Sequence, residues 1–277
     1  MQRDSVKQTF IVASCLCLVC SVLVSTAAVV LRPTQQENKT LDIQKNILKV
    51  AGVYDEGRPV SGQYSSQVER QLIWLDKGTV VTEEDAKYEK LDLRTYDARK
   101  ASKLPELSDP VEPQGALPQI SRRERFAFVY LLKKDDGSLD QIILPVYGKG
   151  LWSTLYGFLA LDADTETIRG ITFYEHGETP GLGGEVDNPD WKALWDGKEA
   201  FGDDGKTPVI EVAKGASGEH QIDALSGATI TSNGVTSLVQ YWLGPDGFGP
   251  YLARVRSADS QTADSSQSTS NEGETNG

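Results

Sequence analysis

The sequence predicts an α+β protein: an N-terminal transmembrane helix, then a domain built on an antiparallel sheet with flanking helices. Three observations predict it. No charged side chain interrupts Gln8–Leu31. Two adjacent hairpin signals lie between Phe126 and Tyr174. Val235, Leu238, Val239 and Trp242 fall at i, i+3, i+4 and i+7, one face of a helix.

The uncharged run reads QTFIVASCLCLVCSVLVSTAAVVL. As a helix it spans roughly 36 Å, enough for a bilayer core near 30 Å. Arg3 and Lys7 precede it, partly offset by Asp4, and this basic flank orients the N-terminus inside and the remainder outside. Two processed forms compete with a retained anchor. Val12-Ala13-Ser14-Cys15 mimics a lipoprotein cleavage box, but the apolar stretch before it is too short and continues past the cysteine. Ser25-Thr26-Ala27 has the composition of an ordinary signal-peptide end.

After Arg32-Pro33, the spacing of Ile43, Ile47 and Ala51 predicts a helix over Leu41–Ala51, stopped by Gly52. A second helix is predicted around Gln67–Trp74. Residues 101–120 carry Pro105, Pro110, Pro113 and Pro118 and read as a long surface loop. Phe126–Leu132 and Gln141–Tyr147 flank the turn Asp135-Asp136-Gly137, and Leu155–Leu161 and Ile168–Tyr174 flank Asp162–Glu166. Asn188-Pro189 is an N-cap and N1 pair for a short helix through Trp195. Val209–Val212 is a further strand candidate. The resulting division is 1–34 anchor, 35–125 helical and loop-rich, 126–256 sheet domain, and 257–277 a polar tail without the apolar surface to order itself.

Composition excludes several functions. The net charge of −12 leaves no electrostatic footprint for nucleic acid. Cys15, Cys17 and Cys20 all lie in the apolar run, so the rest of the chain has no disulfide, thiolate metal site or cysteine nucleophile. Two histidines, His176 and His220, are too few for a histidine-rich metal cluster. No catalytic residue and no metal-ligand set emerges.

The stretch that carries chemistry is Asp223-Ala224-Leu225-Ser226-Gly227-Ala228-Thr229, followed by Ile230-Thr231-Ser232-Asn233-Gly234-Val235. With Thr231 or Ser232 as N-cap, Thr229 sits just ahead of a helix whose free N–H groups and dipole favour an anion. Gly227 and Ala228 keep the approach open. From the residues alone, a capping Ser/Thr cluster reads the same way.

This stretch resembles the Asp-x-x-Ser/Thr-Gly-Ala-Thr signature of the FMN-binding domain family, and it matches at every defined position. The resemblance implies that a separate flavin transferase attaches FMN to Thr229 as a phosphoester. It also implies that Asp223, Ser226, Gly227 and Ala228 form the flavinylation motif. Glu175-His176-Gly177-Glu178-Thr179-Pro180-Gly181-Leu182-Gly183-Gly184 is similar to a flavin-pocket segment of the same proteins. A dinucleotide fingerprint fails there, because Val186 stands where its third glycine belongs. Gly148-Lys149-Gly150-Leu151-Trp152-Ser153-Thr154-Leu155-Tyr156-Gly157-Phe158 resembles the corresponding run in the NqrC family, a component of the bacterial sodium-translocating NADH:quinone reductases. The implied pocket is Trp152, Ser153, His176, Glu178, Thr179, Pro180, Gly181, Leu182 and Gly183. The implied function is an electron carrier in a membrane complex that oxidises NADH, reduces quinone and exports sodium. Its implied partners are the other components of that complex and the flavin transferase, with the flavin domain on the periplasmic side of a bacterial inner membrane. The equivalent component of the related ion-translocating ferredoxin:NAD oxidoreductases (Rnf complexes) shares the flavin attachment and is the alternative. A membrane-anchored binding or scaffold protein without cofactor is the alternative of another class.

Overall fold

The computed structural model describes residues 5–258, apart from 90, 94, 112–118 and 135. The chain divides between Gln44 and Lys45 into two units.

The first unit holds most of α1 (Val6–Val50), which contains the uncharged run. Phe10, Leu16, Leu23 and Val30 are more than half exposed along it. An 18-residue window reaches a mean hydropathy of 2.5, so the helix is long and apolar enough to cross a membrane. The separate helix predicted over Leu41–Ala51 is the end of this one helix. Pro33 lies inside it and removes a single N–H donor, while Gln35, Gln36, Glu37 and Lys39 are good helix formers. The stop falls at the predicted glycine. Gly52 adopts φ +72°, its N–H reaches the Lys49 carbonyl at 3.0 Å, and the Val53 N–H reaches that of Leu48 at 3.0 Å. These two bonds make a Schellman closure.

The second unit is built from eleven strands and five further named helices. In chain order they are α2 (Val60–Gln67), β1 (Val68–Trp74), β2 (Thr79–Val80), α3 (Glu83–Tyr88), α4 (Ala98–Ala101), β3 (Ser108–Pro110), β4 (Arg122–Glu124), β5 (Phe126–Lys133), β6 (Leu139–Lys149), β7 (Thr154–Asp162), β8 (Thr167–Glu175), α5 (Pro189–Ala193), β9 (Lys198–Glu199), β10 (Glu211–Ala213), β11 (Gln221–Asp223) and α6 (Thr229–Leu243). A helical segment at 249–258 closes the described chain.

Seven strands form one antiparallel sheet in the order β2-β1-β5-β6-β7-β8-β9. The hairpins β5–β6 and β7–β8 are the two read from the sequence. The predicted helix around Gln67–Trp74 is instead strand β1. Val68 to Trp74 pair residue for residue with Leu132 to Phe126, and the side chains alternate: Leu72 and Trp74 pack with Phe126, while Ile73 joins the main core. Pairing with β5 outweighs local helix propensity there. Part of region 35–125 therefore belongs to the central sheet. Within 101–120 the structure finds β3, and residues 112–118 of that predicted loop lie outside the described residues. Most of the predicted tail does too.

The main core fills the space between the sheet and α6. Ile142, Leu144 and Val146 of β6, and Leu155, Leu159 and Leu161 of β7, meet Val235, Leu238, Val239 and Trp242 of α6. Fully burying side chains of this size contributes about 1.5–3 kcal/mol each. Trp242 also donates its indole N–H to the Tyr147 carbonyl at 2.7 Å. Close approach depends on Gly234, where an added Cβ would stand 2.4 Å from the Lys149 carbonyl oxygen. Glycine thus lets the start of α6 lie against the end of β6, which places the helix start beside the loop after Lys149.

One buried carboxyl sits below this packing. Glu124 is 3% exposed and accepts the Tyr147 hydroxyl at 2.6 Å. Burial pushes its pKa up from the usual 4.5 to about 7, against the opposing Tyr147 hydrogen bond and Arg123 charge. Arg123 itself is engaged by the Asp76 carboxylate and the Asp246 carbonyl. A carboxyl with a raised folded-state pKa contributes stability that is present below pH 4.5 and lost as pH rises through about 7. Glu124→Gln removes this dependence. Urea unfolding from pH 4.5 to 7 is expected to show wild type losing stability relative to the variant as pH rises. Parallel curves would refute the raised pKa.

Candidate functional site

Helix α6 begins at Thr229 itself, ahead of the start that a Thr231 or Ser232 cap would give. Ala228 is the N-cap and brings no side-chain hydrogen bond, so the first-turn N–H groups have no capping oxygen. Ser232 cannot cap from inside the helix. Its hydroxyl accepts the Leu225 N–H at 3.1 Å and donates to the Ala228 carbonyl at 3.0 Å, tying the preceding loop to the first turn. Gly227 takes φ +69°, a conformation that suits glycine, and turns the chain into the helix.

The hydroxyls of this cluster are not equivalent. Thr231 is fully buried and donates to Glu178 Oε2 at 2.7 Å. Ser232 is buried with both hydrogen-bonding capacities in use. Ser226 and Thr229 are exposed. Of these two, Thr229 stands on the uncapped helix start, where free N–H groups and the positive end of the dipole favour an anion.

Glu178 holds separate segments together. Its Oε1 accepts the N–H groups of Trp152 at 2.9 Å and Ser153 at 3.1 Å, and the Ser153 hydroxyl at 3.4 Å. Its Oε2 accepts the Leu151 N–H at 3.2 Å and the Thr231 hydroxyl. Burial works against the charge, but these donors outweigh it and hold the carboxyl below its usual range. Space for the carboxylate is made by two glycines. A Cβ on Gly150 would lie 2.6 Å from Oε1, and one on Gly183 would lie 2.7 Å from Oε2.

The loop after β8 is ordered around this carboxylate. The Gly177 N–H donates to Ser153 Oγ at 2.7 Å. The Thr179 carbonyl accepts from Leu182 and Gly184, which folds Pro180 and Gly181 into an exposed tip. Leu182 Cδ2 lies 3.1 Å from the place where a Cβ on Gly227 would stand, so this loop touches the turn before Thr229. Four apolar side chains of these segments are exposed: Leu151, Trp152 (68%), Leu182 and Ile230 (59%). Flat aromatic surface laid on such groups removes them from water. An uncapped helix start beside exposed apolar side chains fits a ligand with a phosphate and a planar ring system.

Comparison with known proteins assigns the family. Residues 150–244 match the family model of the FMN-binding domain. The C subunit of the Na(+)-translocating NADH-quinone reductase from Pseudomonas aeruginosa is 46% identical over 263 residues, covering 92% of this chain and 97% of the relative. The C subunit from Vibrio alginolyticus is 46% identical over 257 residues, covering 92% and 96%. Among solved structures, Shewanella oneidensis NqrC superimposes with a TM-score of 0.70 at 35% identity, over 79% of this chain and 99% of that one. The chain belongs to the NqrC family.

Of the residues singled out in the sequence, the structure brings together Ser153, Glu178, Gly183 and the Trp152 backbone, with Leu182 against Gly227 and Thr229 at the adjoining helix start. Thr179, Pro180 and Gly181 shape the loop tip. Ala228 supplies the N-cap. Two residues have their polar groups engaged elsewhere. His176 Nε2 bonds Asp187 at 2.8 Å, and its Nδ1 accepts the Glu178 N–H at 3.2 Å, which places the ring proton on Nε2. Asp223 accepts the Ala216 N–H at 3.1 Å with its carboxylate, and the Trp191 indole at 2.8 Å with its carbonyl. Sequence reasoning gave Gly150 no role and missed the true partner of Thr231. Hydroxyl spacing on α6 could not reveal a bond to a residue 53 positions away. It also missed Arg99, which grips Glu175 bidentately at 2.6 and 2.5 Å and lies over the Tyr156 ring, fixing the base of the loop.

Glu178→Gln keeps the shape but turns an amide nitrogen toward N–H donors. Leaving such groups unpaired costs about 1–3 kcal/mol. Because the folded carboxyl titrates below its usual 4.5, its contribution is present above that pH and lost as pH falls through the lowered value. The gap between wild type and variant in urea unfolding is therefore expected to be full at neutral pH and to close in acid. A gap that persists unchanged in acid, well below the ordinary carboxylate range, would refute an ionised Glu178.

Proposed function

We propose that this chain carries one FMN, joined through its phosphate to Thr229 Oγ1, and acts as an electron relay between other subunits of a sodium-exporting, NADH-oxidising, quinone-reducing membrane complex. The observation that carries the reading is local. Among the hydroxyls of the matched signature and the helix start, Thr229 is exposed on an uncapped first turn, while Thr231 and Ser232 are buried and engaged. The names of the relatives support the complex.

FMN supplies the electron chemistry when bound. The chain's own residues do the rest. First-turn N–H groups of α6 receive the phosphate charge. Leu182, Ile230 and Trp152 offer apolar surface beside it. Glu178 fixes the loops on both sides, so the site is formed before the cofactor arrives. Asp223 opens the signature at the end of β11, six residues before the acceptor, and serves recognition by the flavin transferase. The apolar part of α1 anchors the chain in the bacterial inner membrane as a single span, and the domain beyond Arg32 lies on the periplasmic side. The identity to C subunits of NADH-quinone reductases over nearly their whole length supports the quinone-reductase assignment.

Thr229→Ala, coexpressed with a flavin transferase, is expected to fold yet lose the fluorescent flavin band of a denaturing gel. Mapping the flavin of the wild-type protein to another residue would sink the assignment. A relay also has no need of a nucleotide site. Anaerobic NADH is therefore expected to leave the flavin of the purified chain oxidised, with dithionite reducing it promptly. Bleaching by NADH at enzyme-like rates, about 1–1000 per second, would mark a dehydrogenase instead.

A further inference from the structure

The charge on Glu178 is stabilised but not cancelled. Its donors are all neutral: the N–H groups of Leu151, Trp152 and Ser153, and the hydroxyls of Ser153 and Thr231. Among the described residues the carboxylate forms no salt bridge. A full negative charge therefore sits beneath the start of α6. Two other acidic side chains of this segment are weaker sources of field. Glu175 is gripped by Arg99, and Asp187 is more than half exposed, where solvent screens it.

The backbone that binds this carboxylate also presents the exposed apolar side chains. Leu151 and Trp152 donate their N–H groups to it at 3.2 and 2.9 Å. Leu182 precedes Gly183, where an added Cβ would lie 2.7 Å from Oε2. Ile230 precedes Thr231, whose hydroxyl donates to Oε2 at 2.7 Å. Each of these side chains is rooted at, or one residue from, an atom that touches the carboxylate. A planar ring resting on them is separated from the charge by a single layer of side chains. Thr229, two residues before Thr231, puts the phosphate end of FMN beside the same patch.

Each electron that arrives from a donor subunit adds one negative charge to the ring, and its departure to an acceptor subunit removes that charge. A fixed negative charge nearby opposes the arrival and favours the departure. Burial preserves the effect, because little solvent lies between.

We propose that the ionised Glu178 carboxylate sets the reduction potential of the flavin, holding it lower than a neutral side chain would and so favouring passage of the electron onward. The proposal rests on FMN attachment at Thr229. By Coulomb's law, a unit charge about 10 Å away at an effective dielectric constant of about 20 changes a one-electron equilibrium roughly tenfold. Tenfold corresponds to about 59 mV for one electron.

A purely structural role for Glu178 gives a different pattern. Loosening the loops moves the potential the same way whichever partner of the hydrogen bond is altered. A charge effect moves it in opposite directions: losing the charge raises the potential, and stripping a donor from the charge lowers it.

The test is a spectroelectrochemical titration, at neutral pH, of the full chain coexpressed with a flavin transferase. Glu178→Gln is expected to raise the midpoint potential, by roughly tenfold in the equilibrium constant. Thr231→Val keeps the side-chain shape and the Glu178 charge but removes one donor, and it is expected to lower the potential by a smaller step. An unchanged or lowered potential in Glu178→Gln would overturn the proposal, as would an unchanged or raised one in Thr231→Val. If Glu178→Gln does not fold, Thr231→Val decides alone. Peptide mapping of the wild-type chain runs alongside. A flavin found away from Thr229 would overturn the attachment, whereas a flavin at Thr229 with potentials that do not move would overturn only the role of Glu178.

Discussion

The Glu178 carboxylate is the constraint around which the rest of the site is arranged. It is buried, ionised and surrounded by donors from the loop after β6 and from helix α6. A buried charge is tolerated only when its acceptor sites are filled with good geometry. That requirement explains features that are otherwise unconnected. Gly150 and Gly183 lack side chains because the carboxylate occupies the space, and Thr231 turns inward because its hydroxyl is needed there. With Thr231 drawn in and Ser232 bonded to the loop, Thr229 is left outside on the first turn. Two loops and a helix start, far apart in sequence, thereby become one rigid surface.

The scaffold beneath that surface supplies distance and rigidity. The sheet carries β6 and β7 past one another, so the loop at 150–153 and the loop after β8 emerge at the same end. Gly234 allows α6 to close on the last residue of β6, and the buried indole of Trp242 fixes the other end of the same helix. A relay must keep its cofactor at a constant distance from its partners. Attachment at Thr229, as proposed, would put the cofactor on a helix packed across a sheet, which holds position better than a free loop.

Among the described residues, two buried carboxyls have surroundings that drive them in opposite directions. Glu178 gathers N–H and hydroxyl donors and stays charged. Glu124 has one side-chain hydroxyl donor in an apolar setting and holds its proton to about pH 7. The contrast follows from two differences: Glu124 lies deeper, where burial dominates, and Glu178 gathers more donors. The charge next to the start of α6 is thereby constant through the physiological range, while the one below the aromatic packing is not.

By itself the sequence determined the apolar run, both hairpins, the Asn188-Pro189 helix start, the amphipathic face of α6 and the family signature ending at Thr229. All of these are local: alternation, helical spacing and turn chemistry are written in neighbouring residues. Tertiary structure decided what local patterns cannot encode. Val68–Trp74 became a strand because β5 offered it a partner. Helix α6 began at Thr229 because Thr231 found Glu178, 53 residues away, and Ser232 found Leu225. The ring of His176, a histidine that resemblance put in the pocket, is oriented by Asp187. In each case the residue's role was set by which buried group needed a hydrogen-bond or packing partner, and that need exists only once distant segments meet.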